Sequence, residues 1–178
     1  MREASGVDPL LLTGPPAAGK STTAHAVVKL RQRAAVIDVD DIRHLVISGH
    51  AAPWDGEEGR LQQRVGVENA CDLAQRLCSI GIDVVLADVV DAETLGIYRR
   101  RLPNLVVVRL DLSLTAARSR AASRLVYLSD QEFEDLHAAA TQEDLRADAV
   151  VRVEDMQPDE QALAVTQVWL SINKASPR

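Results

Sequence analysis

Residues 14–21 read Gly-Pro-Pro-Ala-Ala-Gly-Lys-Ser, and Thr22 follows, which is the phosphate-binding spacing G-x-x-x-x-G-K-[ST]. The apolar run before it, Leu10–Thr13, predicts a short buried strand. The run after it, from Lys20 to about Gln32, predicts a helix carrying apolar Ala24, Val27, Val28 and Leu30. Strand, glycine loop and helix together constrain the fold, because the chain must open as a β-α unit. The N-terminus of that helix turns unpaired N–H groups and a positive dipole end toward an anion. Gly14 and Gly19 let the backbone close around a phosphate. Pro15 and Pro16 have no N–H to give, so the cradle falls to the later amides: Ala17, Ala18, Gly19, Lys20, Ser21 and Thr22. Lys20 supplies a point charge to the outer phosphates, and the Ser21 hydroxyl is the expected Mg²⁺ ligand. A nucleoside triphosphate follows as ligand, with ATP expected and GTP left open.

Strand and helix patterns alternate along the rest of the chain. Strands are expected at Ala34–Val39, Ile82–Ala87, Asn104–Leu110 and Ala147–Val153. Helices are expected from near Asp41, over Glu57–Ile80 with Gly81 as its C-cap, and over Ala92–Arg101. Further helices are expected over Ser113–Arg124 with Ser113 as N-cap, Asp130–Ala140 and Pro158–Ile172. Near-continuous apolar strands between helices imply an α/β fold with a parallel sheet covered on both faces. Gly49–Gly59 (GHAAPWDGEEG) is the one loop-like insertion.

Composition narrows the function classes. With 178 residues and 47% hydrophobic content, the chain can build a core within one domain, 1–178. No apolar stretch approaches the roughly 18–20 residues of a membrane helix, and the opening MREASGVDP has no apolar export signal. Cys71 and Cys78 lie seven apart on a helical stretch, too far for a bridge, and are expected as core or boundary residues. A cytoplasmic setting is expected. A net charge of −6 and aromatic content of 3% argue against an extended nucleic-acid surface, though not against a small basic pocket. Monomer and homodimer remain open.

In open parallel sheets, ligands sit beyond the carboxyl ends of the strands, and carboxylates cluster there. The second strand runs into Asp38-Val39-Asp40-Asp41-Ile42-Arg43, and the third ends at Asp88. A carboxylate within reach of an acceptor hydroxyl can orient it and take its proton. Asp40 is the candidate, while Asp41 is expected as a helix cap. Asp88 stands where an acid after an apolar strand serves the magnesium shell or the substrate. Asp38 is an alternative for that shell, and Asp91 is a lesser candidate that can equally cap the next helix.

On GPPAAGKST, the DVDDIR segment and the arginines near position 120, the chain resembles the small P-loop kinases. These are the gluconate and shikimate kinases, chloramphenicol phosphotransferase, the zeta toxins and the kinase domain of polynucleotide kinase. The D-D-x-R spacing of Asp40–Arg43 is nearest the polynucleotide kinase version. The resemblance implies a P-loop NTPase three-layer sandwich, a five-stranded sheet in the order 2-3-1-4-5, and a short lid at about 119–130. It makes Asp40 the base and Arg43 the holder of the acceptor. Arg120 would lie along the nucleotide, with Arg118 kept open as the adenine contact. Arg124 would reach the transferring phosphoryl group, where a fork-shaped cation can offset spreading charge. The loop Val153–Pro158 would pack beside adenine.

The histidines His25, His44, His50 and His137 show no metal-ligand spacing, and Trp54 could line the acceptor pocket or anchor its loop. The expected activity is transfer of the γ-phosphoryl group of ATP, with Mg²⁺, to a hydroxyl of a small molecule such as a sugar, nucleoside or antibiotic. A polynucleotide 5′-kinase and a partner-dependent ATPase or switch are the alternatives.

Overall fold

The computed structural model describes residues 7–122, 129–142 and 146–175. Five strands form one parallel sheet: β1 (Leu10–Thr13), β2 (Ala34–Asp38), β3 (Asp83–Ala87), β4 (Val106–Asp111) and β5 (Ala149–Arg152). Their order is β2-β3-β1-β4-β5, the order expected from the resemblance. The helices are α1 (Lys20–Lys29), α2 (Val39–Arg43), α3 (Gly56–Ser79), α4 (Ala92–Arg101), α5 (Leu114–Ala121), α6 (Asp130–Gln142) and α7 (Pro158–Ala175).

Alternation along the strands divides the core into two layers. Leu10 and Leu12 of β1, Val85 of β3, and Val106, Val108 and Leu110 of β4 face one layer, which α1, α7 and Phe133 of α6 cover. Leu11, Val84, Leu86 and Val107 face the other, which holds Val39 from α2, Val67, Ala70, Cys71 and Ala74 from α3, and Leu95 and Tyr98 from α4. Strands buried on both faces explain why β1, β3 and β4 read as near-continuous apolar runs. Trp169 of α7 is fully buried, and its indole N–H donates to the Asp8 carbonyl at 2.8 Å, which pins the last helix beside β1.

One local expectation changes, and one stated alternative is decided. The cap of α2 is Asp38, not Asp41: the Asp38 carboxylate accepts from the Asp40 N–H at 3.2 Å, so the helix starts directly off β2. Three aspartates within four residues could each cap a helix, and the strand end selects the first. Asp91 caps α4 through a reciprocal pair with Thr94, which commits its carboxylate to that turn. Both cysteines are free thiols, and burial pushes Cys71 up to about 12, as suits a packing residue.

Candidate active site

The Gly14–Ser21 loop, expected to bind phosphate, sits between β1 and α1. Gly14 has φ 136°, and a Cβ there would lie 2.3 Å from the Leu110 carbonyl oxygen, so only glycine fits against β4. Gly19, with φ 91°, caps α1, and Ala17 also takes a left-handed φ of 61°. These turns curl the backbone so that the first-turn amides of α1 precede the first helical bond, Thr23 N–H to the Gly19 carbonyl at 2.8 Å. The Lys20 ammonium folds over the loop and donates to the Gly14 and Pro15 carbonyls at 3.0 and 3.1 Å. The Ser21 and Thr22 side chains are exposed at the helix start. A loop turned at Gly14 and Gly19, an ammonium over it and an exposed hydroxyl at a helix N-terminus fit a polyphosphate with its Mg²⁺. His25 leans back on the Ser21 carbonyl at 2.8 Å and stays exposed.

Beside the loop, the ends of β2 and β3 bring together the acidic and basic residues expected to handle an acceptor. One Arg43 nitrogen, Nη1, bonds Asp40 Oδ1 at 2.5 Å, and the other, Nη2, bonds Asp88 Oδ1 at 2.6 Å. The Asp40 side chain is 66% exposed, whereas that of Asp88 is 0%. The second Asp88 oxygen accepts from the Tyr98 hydroxyl at 2.8 Å. Burial drives the Asp88 carboxyl above the ordinary range, and Arg43 and Tyr98 pull against that. Burial also works against the Arg43 charge, but Asp88 and Asp40 outweigh it and hold the guanidinium above its usual value. The Tyr98 phenol is pushed well up by burial and by Asp88. Thus Asp40 is the solvent-facing carboxylate, and Arg43 and Asp88 form a buried pair behind it.

The insertion lies along α3. Gln62 accepts from Ala51 N–H at 3.0 Å and donates to the Gly49 carbonyl at 2.8 Å. Trp54 is 52% exposed on this loop, and Leu45 and Ile47 are exposed just before it.

On the other side of the phosphate loop, Arg120 of α5 donates to the carbonyls of Val153 and Glu154, the latter at 3.1 Å. It therefore sits on the loop expected beside adenine. Arg118 instead pairs with Glu134 of α6 at the surface. Ser113 caps α5 by accepting from the Ala116 N–H and donates to Glu154. Arg124 and residues 123–128 of the expected lid lie outside the described residues.

Two contributors carried no sequence signal. Tyr98 looks like any apolar position of a helix. Gln161 of α7 is buried, accepts from the Thr23 hydroxyl at 2.8 Å and donates to the Met156 carbonyl at 3.1 Å, tying α1 to the loop after β5. Among the described residues, no group of His, Cys, Asp and Glu side chains forms a protein-only metal cage. Mg²⁺ bound largely through phosphate and water would not need one.

No family model matches the chain, and no curated protein matches it. Solved structures do. A sugar kinase from Janibacter sp. is 14% identical over 95% of this chain and 97% of its own, with a TM-score of 0.70. APS kinase from Mycobacterium tuberculosis, in complex with AMPPNP and APS, is 18% identical over 92% and 98%, with a TM-score of 0.69. Shikimate kinase from Acinetobacter baumannii, in complex with shikimate, is 22% identical over 93% and 94%, with a TM-score of 0.68. At these identities the likeness is one of fold: the chain shares its three-layer α/β architecture with these solved kinases over 92–95% of its length. No helix among the described residues is long and apolar enough to cross a membrane.

Proposed function

We propose that this protein is an ATP-dependent phosphotransferase that phosphorylates a hydroxyl of a small molecule. The observation that carries the reading is the exposed Asp40 carboxylate, held by Arg43 beside a glycine-built phosphate loop. A protein that used ATP only as a switch would need no acceptor carboxylate at that place.

In this reading Gly14, Ala17, Ala18, Gly19, Lys20, Ser21 and Thr22 hold the triphosphate, and Arg120 with the loop after β5 borders the base. Ser21 would hold Mg²⁺, which when bound neutralises charge on the phosphate oxygens and orients them. Asp88 has both oxygens committed to Arg43 and Tyr98, so it belongs to the acceptor side and acts through Arg43. Asp40 accepts a hydrogen bond from the acceptor hydroxyl, aligns its oxygen, and takes the proton late in transfer. Arg43 holds Asp40 and lends a donor to the acceptor. Lys20 offsets charge on the migrating group, and Arg124 joins it from the lid segment. Burial of the Arg43–Asp88 pair keeps this charge arrangement fixed between turnovers.

Asp40-Asp41-Ile42-Arg43 supports a second reading, a polynucleotide 5′-hydroxyl kinase, since the structure does bring Arg43 against Asp40. The net charge of −6 weighs against it. Incubation with MgATP and either small hydroxylated compounds or a 5′-hydroxyl oligonucleotide separates the two by which product gains a phosphate.

A further inference from the structure

We propose that Tyr98 is a positioning residue of this site, setting the Asp40 carboxylate through Asp88 and Arg43; the inference rests on the phosphotransferase reading. The three links lie on different elements: Tyr98 on α4, Asp88 at the end of β3, and Arg43 with Asp40 on α2. The Tyr98 hydroxyl donates to Asp88 Oδ2, which stops the carboxylate from rotating and turns Oδ1 to Arg43 Nη2. A guanidinium is planar, so fixing Nη2 also fixes Nη1, the nitrogen bonded to Asp40.

Among the described residues, the recorded partners of the guanidinium are Asp88 and Asp40. Arg43 Nε is buried and has no hydrogen-bond partner, so the group is held only at its two ends. Its stem runs past Gly66 of α3, where a Cβ would come to 3.0 Å from Arg43 Cγ. The small residue leaves room for the arginine stem.

Phenylalanine at position 98 would keep the ring that fills the core and delete only the hydroxyl. The Asp88 carboxylate would then be free to turn, and a buried carboxylate with one partner fewer takes up a proton more readily. Arg43 would lose its anchor and follow Asp40, covering the oxygen that must face the acceptor. The titratable groups facing this cluster are Arg43 and Asp40 from α2, Tyr98 from α4 and Cys71 from α3, the last a neutral thiol at working pH.

The test uses the full chain and its Tyr98→Phe variant, with two readouts. The first is the Arg43 Nε–H signal in protein labelled with ¹⁵N-arginine, identified by its loss in Arg43→Lys. The second is transfer from MgATP to a panel of sugars, nucleosides, hydroxylated antibiotics and a 5′-hydroxyl oligonucleotide, followed against pH. Tyr98→Phe should move or broaden the Arg43 signal. It should also lower kcat about tenfold or more, the worth of one hydrogen bond to a charged group, with KM for MgATP unchanged. The acid limb of the rate profile should move to higher pH. In an Asp88→Asn background the same substitution should add nothing. An unmoved Arg43 signal with wild-type kcat overturns the proposal, and so does an undiminished effect in the Asp88→Asn background. A wild-type chain that phosphorylates no member of the panel sinks the phosphotransferase reading instead. The Arg43 signal then still decides whether Tyr98 sets the arginine.

Discussion

Replacing Arg43 by methionine would leave Asp88 as a buried carboxylate with only the Tyr98 hydroxyl beside it. Methionine keeps most of the stem volume beside Gly66, so packing changes little and the electrostatic part of the loss stands out. Breaking a buried pair from one side costs about 3–5 kcal/mol. The lower figure, about 3 kcal/mol, is apt here because the hydroxyl remains. Asp88 can evade part of this by taking up a proton, and that gives the loss its pH dependence. Burial already holds the Asp88 carboxyl above its ordinary range, and loss of the guanidinium raises it further.

A carboxyl whose folded value lies above the unfolded one loses stability as pH rises between the two. The difference between variant and wild type should therefore be smallest at the acid end of the range, where Asp88 is protonated most fully in both. It should open as pH rises through the wild-type value and level off above the variant's. Urea melts from pH 4 to 8 read this directly. In thermal melts, a chain of this length loses roughly 2–4 °C per kcal/mol. A deficit equal at every pH, or none at all, would refute the claim that Arg43 stabilises an ionised Asp88.

Gly14→Ala should abolish nucleotide binding in titration calorimetry. It should also cost more than about 2 kcal/mol of stability, because the new Cβ meets the Leu110 carbonyl at 2.3 Å in a left-handed backbone. Lys20→Ala should retain the fold by circular dichroism and lose ATP turnover. Asp40→Asn should bind MgATP as the wild type does, while single-turnover transfer slows by roughly 10²–10⁴-fold. Thr23→Val deletes one buried hydrogen bond and leaves Gln161 Oε1 without that donor, so urea unfolding should show a loss of about 1–3 kcal/mol.

The sheet and the phosphate loop were legible in the sequence because both are written locally. Four-to-six-residue apolar runs define the strands, and Gly14 to Thr22 sit in one stretch. The ends of β2 and β3 were legible as carboxylates, but not their arrangement. Asp88 is 45 residues from Arg43 and 10 from Tyr98, and only the parallel pairing of β2 with β3 brings the three together. Arg120 could not be separated from Arg118 by spacing. What distinguishes them is the carbonyls of Val153 and Glu154, which the β4–β5 pairing sets beside α5, against a surface glutamate for Arg118. Gln161 was silent because a glutamine near a helix start normally faces water. Here its amide fills the space beside Gly19.

The most direct test of the central claim is a mass-spectrometric screen of purified protein with MgATP and the panel of hydroxylated small molecules and a 5′-hydroxyl oligonucleotide. One small molecule should gain a single phosphate, and the product should be lost in Asp40→Asn. No phosphorylated product, with ATP hydrolysis appearing only when cell-extract protein is added, would contradict that claim and make the chain a partner-driven ATPase.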